Sequence, residues 1–187
     1  MSGTLRFSTA LQIFNAYPIA REDIEAEPTD DHPLIFLDML AASSTPEDAI
    51  SLCAYMLPKR EAVWWACQCL RSTDPNLTPN DENAIQLAEL WVREPEEENR
   101  YEALNAGMNA LNKTAAIWIA LAAGWSGGSM TEETQPTVTP PNFLTGQSVR
   151  AAVLTTLTKI ERTDRSNQLQ MFIKGAKKLI GSEAGPK

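Results

Sequence analysis

The stretch Thr45-Pro46-Glu47-Asp48-Ala49-Ile50-Ser51-Leu52-Cys53-Ala54-Tyr55-Met56-Leu57-Pro58-Lys59-Arg60-Glu61-Ala62-Val63-Trp64-Trp65-Ala66-Cys67-Gln68-Cys69 reads as two helices with almost no link between them. Thr45 offers a capping hydroxyl, Pro46 suits the first helical position, and Glu47 and Asp48 favour the positive end of the helix dipole. Ile50, Cys53, Ala54 and Leu57 then recur at helical spacing. Pro58 starts the second helix, where Ala62, Trp65, Ala66 and Cys69 form one stripe with Val63 and Trp64 beside it.

The same grammar returns downstream. Thr78-Pro79-Asn80-Asp81 restarts a helix with Ile85, Ala88 and Val92 on one face. Pro95-Glu96-Glu97-Glu98 starts another, with Tyr101, Leu104 and Met108 expected to point inward. Ala49-Ile50-x-Leu52 and Ala84-Ile85-x-Leu87 lie 35 residues apart, and helical repeats have periods of about 34–47 residues. Short links force neighbouring helices to run antiparallel. The predicted fold is therefore all-α: stacked antiparallel helical hairpins, a HEAT- or TPR-like repeat bundle. Thr114 to Gly124 is apolar on every side, which predicts a buried central helix with Trp118 deep inside.

After this helix the pattern breaks. The segment from Ser126 to Asn142 holds Gly127, Gly128, Pro136, Pro140 and Pro141 without an apolar period. We read 126–144 as a long Gly/Pro loop, ordered rather than a loose tether, because its prolines stiffen it. Two helices close the chain, at about 145–161 and 164–180, followed by a disordered tail at 181–187. The last helix, with Leu169, Phe172, Ile173, Ala176 and Ile180 on one face, is expected to pack on the body. Upstream, Pro33 opens a short helix to Ala41. Residues 1–32 read as a weakly structured lead-in in which Leu11, Ile13, Phe14 and Tyr17 suggest one short helix ended by Pro18. The expectation is one helical domain over 33–180.

The 187 residues are 43% apolar and 21% charged, with a net charge of −8. Residues 1–145 hold 8 Lys/Arg against 21 Asp/Glu (−13), and residues 146–187 hold 8 against 3 (+5). An acidic body disfavours nucleic acid as a partner. The basic C-terminal part suits an acidic face, its own or a partner's. No apolar run approaches the roughly 20 residues of a membrane span, and residues 1–20 lack a signal-peptide pattern. A cytoplasmic location without stable membrane insertion is expected.

Catalytic and metal chemistry find little support. Cys53, Cys67 and Cys69 lie in apolar helical stretches and read as reduced, buried thiols. His32, the only histidine, reads as a solvated loop residue. The Glu96–Glu98 run reads as helix-start charge. No nucleophile elbow, zinc-protease, phosphate-loop or dinucleotide motif is present. No catalytic residue, no cofactor and no metal is therefore expected.

The candidate interaction surface rests on other residues. Trp64 and Trp65 are about 100° apart on a helix, so one can be buried while the other flanks it as a contact anchor. Lys59, Arg60 and Glu61 occupy the same helix's first turn. Cations there oppose the dipole, which predicts an acidic partner for Arg60, from the Glu96–Glu98 helix. Trp125, Gly127, Gly128, Pro140 and Pro141 complete the set from the loop.

Leu57-Pro58-Lys59-Arg60-Glu61-Ala62-Val63-Trp64-Trp65-Ala66-Cys67 and Trp125-Ser126-Gly127-Gly128-Ser129-Met130, with Val138, Pro140 and Pro141 after it and Trp91-Val92-x-x-Pro95 between, resemble the hallmarks of an uncharacterised bacterial domain family over about 40–180. Members of that family tend to be encoded beside type VI secretion genes. The resemblance implies a bacterial context and no activity. Together with the helical-hairpin pattern, the long Gly/Pro loop and the tryptophans, that context suggests an adaptor, chaperone or accessory factor for a secretion cargo or spike component, with oligomeric state open. Two alternatives stand beside it: an immunity-type inhibitor whose acidic body neutralises a basic toxin, and an unrecognised enzyme.

Overall fold

The computed structural model describes residues 5–131 and 135–181. Ten α-helices are present and no strand occurs among the described residues: α1 (Ala10–Ala16), α2 (Ala20–Asp23), α3 (Pro33–Ala41), α4 (Asp48–Met56), α5 (Lys59–Thr73), α6 (Pro79–Arg93), α7 (Glu97–Asn109), α8 (Ala115–Gly124), α9 (Leu144–Thr158) and α10 (Arg165–Gly181). No described helix is long and apolar enough to cross a membrane.

Local chemistry accounts for several helix starts. Thr78 caps α6 by accepting from the Asp81 N–H at 3.2 Å, and Thr114 caps α8 through Ile117. At α4 the expected cap is displaced. Residues 45–48 form a turn, and the helix begins at Asp48, whose carboxylate accepts from the Thr45 hydroxyl at 3.2 Å. His32 has a role the sequence reading overlooked: its Nδ1 accepts from the Leu34 N–H and caps α3.

α8 lies at the centre, packed against α5, α6, α7 and α9. Its crossing with α7 is close because two glycines remove side chains from it. A Cβ on Gly124 would stand 2.6 Å from Leu104 Cα, and one on Gly107 would stand 2.6 Å from Leu121. Buried positions run from Ala115 to Gly124 with one interruption: Trp118 is only partly buried and packs at the flank of the core. The even apolar pattern of α8 concealed this, since a helix touching four neighbours still leaves a seam. Met108 is likewise 57% exposed, not inward; it sits near the end of α7, beyond the Gly107 crossing.

Contacts between helices distant in sequence depart from a simple linear stack. α9 packs on α4 and α5 as well as α8, and α10 packs on α4, α5 and α9, whereas in a solenoid each repeat touches only its neighbours. Trp65 Nε1 donates to the Phe172 carbonyl at 2.9 Å, joining α5 to α10. The basic C-terminal part docks on the chain's own acidic body: Arg150 pairs with Asp23 at 3.2 Å, Lys159 with Asp74 at 2.5 Å, and Lys177 with Asp38.

The N-terminal lead-in is more structured than its sequence suggests. Ile13, Phe14, Tyr17 and Ile24 are buried. Phe14 meets Phe36 edge-on at 6.0 Å, and Tyr17 meets Tyr55 at 5.6 Å. The segment before α3 folds back so that Thr29 and Asp31 carbonyls accept from the first N–H groups of α1. Four apolar anchors suffice to order a short segment once α3 and α4 supply the surface to bury them. Of the expected tail, Gly181 ends α10; residues 182–187 lie outside the described ones.

Candidate interaction site

The loop after α8 is held by side chains from three helices. Arg100 of α7 is 3% exposed and donates to the Gly124 carbonyl and, at 2.9 Å, to that of Ser129. Its guanidinium also binds the Glu97 carboxylate at 2.7 and 2.5 Å, which holds that carboxyl below its usual range. Lys59, at the start of α5, donates to the Ser126 carbonyl at 2.8 Å. Thr145, at the start of α9, donates to that of Trp125 at 3.1 Å. Four successive or near-successive carbonyls are thus taken by fixed donors.

Beyond these anchors the loop doubles back. Met130 N–H donates to the Val138 carbonyl at 2.8 Å, and the Ser129 hydroxyl accepts from the Val138 and Thr131 N–H groups. Gly128 turns the chain with φ +61°, and a Cβ there would stand 2.5 Å from Glu97 Oε1. Gly127 has open space around it. Pro140 is buried where the loop returns to α9, and Pro141 is exposed. Residues 132–134, within the predicted loop, are outside the described set.

Near Ser126 lies a narrow recess of about 10 Å³, room for about one water molecule, lined by Tyr17, Tyr55, Lys59, Asn142, Thr145 and Gly146 among others. Gly146 is needed there, because a Cβ would meet the Tyr55 ring at 2.7 Å. The Tyr55 hydroxyl donates to Asp23 at 2.5 Å, and burial together with that carboxylate raises its pKa. The Tyr17 hydroxyl accepts from Arg6 at 2.8 Å. Burial and the nearby Arg6 charge lower the Lys59 pKa.

The structure brings Lys59, Trp125, Gly127 and Gly128 together around the loop's first turn. Arg60 is directed elsewhere and needs no acid from the Glu96–Glu98 helix. Its Nε donates to the Val92 carbonyl at 2.6 Å and its Nη2 to that of Arg93 at 3.2 Å, so it sits on the negative C-terminal end of α6. Glu61 and Trp64 are half-exposed on α5, with Trp64 packed at the core's edge.

Arg100, Tyr17, Asn142 and Thr145 were not assigned to the site by the sequence reading. Only Arg100 left a trace, as a cation in line with Ala103, Leu104 and Gly107 on the buried face of α7. The thiols of Cys53, Cys67 and Cys69 are unpaired and buried, and burial raises all three pKa values. Among the described residues no group of three His, Cys, Asp or Glu side chains converges as a metal site would require.

A family of unknown function, DUF6931, matches residues 36–180, from α3 to the last turn of α10. The chain belongs to the DUF6931 family. No curated protein and no solved structure matches it. In this DUF6931 member the matched span contains the whole loop and its anchors Lys59, Arg100 and Thr145. Tyr17 contributes to the recess from outside that span.

Proposed function

We propose that this DUF6931 protein is a non-catalytic protein–protein interaction module, presenting the loop 126–142 and the adjoining starts of α5 and α9 to a protein partner. It acts as an adaptor, chaperone or accessory factor linked to type VI secretion in the bacterial cytoplasm. The observation that carries the binding role is the pinned loop: Arg100, Lys59 and Thr145 hold its entry in one course before any partner arrives. A loop entry already held in place loses little conformational entropy on docking. The helical hairpins joined by short links belong to the same reading, as a HEAT- or TPR-like scaffold for the loop. The secretion link rests on the resemblance of the 57–67 and 125–130 segments. Capture from the source bacterium tests it. Wild-type protein should retain a secretion cargo or spike component, and an Arg100→Met variant should release it; recovery of no secretion component counts against the proposal.

The −13 balance over residues 1–145 favours a second reading, an immunity-type inhibitor of a basic toxic effector. Co-expression separates the two. An inhibitor restores growth of cells making the neighbouring toxin, whereas an adaptor leaves the toxicity unchanged.

A further inference from the structure

α3 is nearly as apolar as the buried α8, with Asp38 its only charged residue, yet it lies at the surface. Pro33, Phe36, Leu37 and Leu40 turn inward, packing on α4 and, through Phe36, on Phe14 of α1. The opposite side carries Ile35 and Met39, 59% and 46% exposed. Residues four apart share a helix face, and Ala42, exposed at the C-cap, continues the row. Single exposed apolar residues are ordinary, whereas a contiguous apolar strip marks an interaction surface.

A row of lysines borders this strip. α10 packs on α4, α5 and α9 and reaches α3 through long side chains. Gln170 Nε2 donates to the Ala41 carbonyl at 3.4 Å, and Lys177 pairs with Asp38, so the two helices run antiparallel. Lys174 lies between Gln170 and Lys177 at helical spacing, on the same side of α10, and Lys178 follows it by one turn. Lys174 and Lys178 are exposed. Among the described residues no carboxylate forms an ion pair with either. Lys177 already neutralises the one charge on α3. A chain of net charge −8 thus keeps a positive edge beside an uncovered apolar strip.

We propose that the outer face of α3 and the lysine edge of α10 form a docking surface for an acidic amphipathic helix of a protein partner. Its apolar residues cover Ile35 and Met39, and its carboxylates meet Lys174 and Lys178. This surface is separate from the loop 126–142 and does not depend on it. Charge complementarity selects an acidic occupant, and an apolar row flanked by charge is the pattern an amphipathic helix matches. A helix about 10 Å across, laid over α3 towards α10, avoids Asp30, Asp31 and Glu47, which are exposed just before and just after α3. An anionic bilayer is flat and extended, and would meet those carboxylates.

The test is fluorescence anisotropy of the full chain with a labelled peptide of about 18 residues, five turns of helix. The peptide carries leucines along one face and glutamates beside them; a counterpart has lysine at each glutamate. Saturable binding of the acidic peptide, tighter than that of its counterpart, is expected at constant ionic strength. Met39→Asp should weaken it by about tenfold or more, the value of one buried apolar side chain. Lys174→Glu with Lys178→Glu should weaken it by about fivefold or more and remove the preference between the peptides. All three positions are exposed, so both variants should fold, and far-UV circular dichroism checks this. Leu111→Ser, at an exposed apolar residue between α7 and α8, should leave binding unchanged. No saturable binding, equal binding of the two peptides, or an equal loss with Leu111→Ser overturns the proposal. Sedimentation with vesicles of phosphatidylcholine and phosphatidylglycerol separates the other occupant. Vesicle binding that Met39→Asp abolishes assigns the face to a bilayer and overturns the proposal, and failure to bind vesicles supports it.

Discussion

Arg100 Nη2 donates to the Ser129 carbonyl at 2.9 Å, so a buried cation on α7 sets the path of the chain five residues beyond the end of α8. The same guanidinium binds the Gly124 carbonyl, capping α8 and steering the loop at once. Cations are favourable at the carbonyl end of a helix, which explains how arginine is tolerated on an otherwise apolar face.

Replacing Arg100 by methionine fills similar space but leaves the Gly124 and Ser129 carbonyls without their donor. A loss of about 2–4 kcal/mol is expected, read as a lower urea midpoint. Limited proteolysis should show faster cleavage within 129–140. Unchanged cleavage with unchanged stability would remove Arg100 as the anchor.

Gly128 and Gly127 should respond differently. Gly128→Ala places a Cβ at φ +61° against the Glu97–Arg100 pair, at a cost of about 1–2 kcal/mol for the backbone alone. Gly127→Ala meets open space and should be close to neutral. Thermal denaturation of the two variants side by side measures the contrast.

Acid should loosen the loop. Hydrogen bonds from Arg100, Lys159 and Arg71 hold Glu97, Asp74 and Glu82 below the usual carboxylate range. A carboxyl with a lowered folded pKa stabilises the fold above its unfolded value, about 4, and this contribution disappears as pH falls through the folded value. The urea midpoint should therefore be flat from neutral pH down to about 5 and drop below about 4. Arg100→Met should show a shallower drop, because its Glu97 is no longer shifted.

The thiols should be silent in the native protein. Burial disfavours the thiolate of Cys53, Cys67 and Cys69, and the thiolate is the reactive form. Titration with a thiol reagent should find no fast-reacting group in the folded chain and three after denaturation. A count of one after denaturation would indicate a disulfide.

What was legible in the sequence follows element by element. The Thr78-Pro79 start of α6, Pro33 at the start of α3, and the apolar stripes of α5 and α10 all appear where local chemistry places them, since capping and 3.6-residue periodicity act within a few residues. Trp118 and Met108 were misplaced for the opposite reason. Their burial depends on where a neighbouring helix stops, and composition does not carry that. The recess was invisible because Tyr17, Lys59 and Asn142 belong to three segments that only packing unites.

By itself the sequence determined that the chain is helical, where most helices start, that α8 is the apolar centre and that the loop is rich in glycine and proline. The tertiary structure decided which surfaces those helices share. It turned the lead-in into part of the core, and it sent Arg60 to the end of α6 rather than to an acid. It also placed Arg100 under the loop. Local propensities are summed over neighbouring residues, whereas a long side chain's partner is chosen by helix crossings such as Gly124 on Leu104, where the absence of one side chain sets how close two helices come and which carbonyls an arginine can reach.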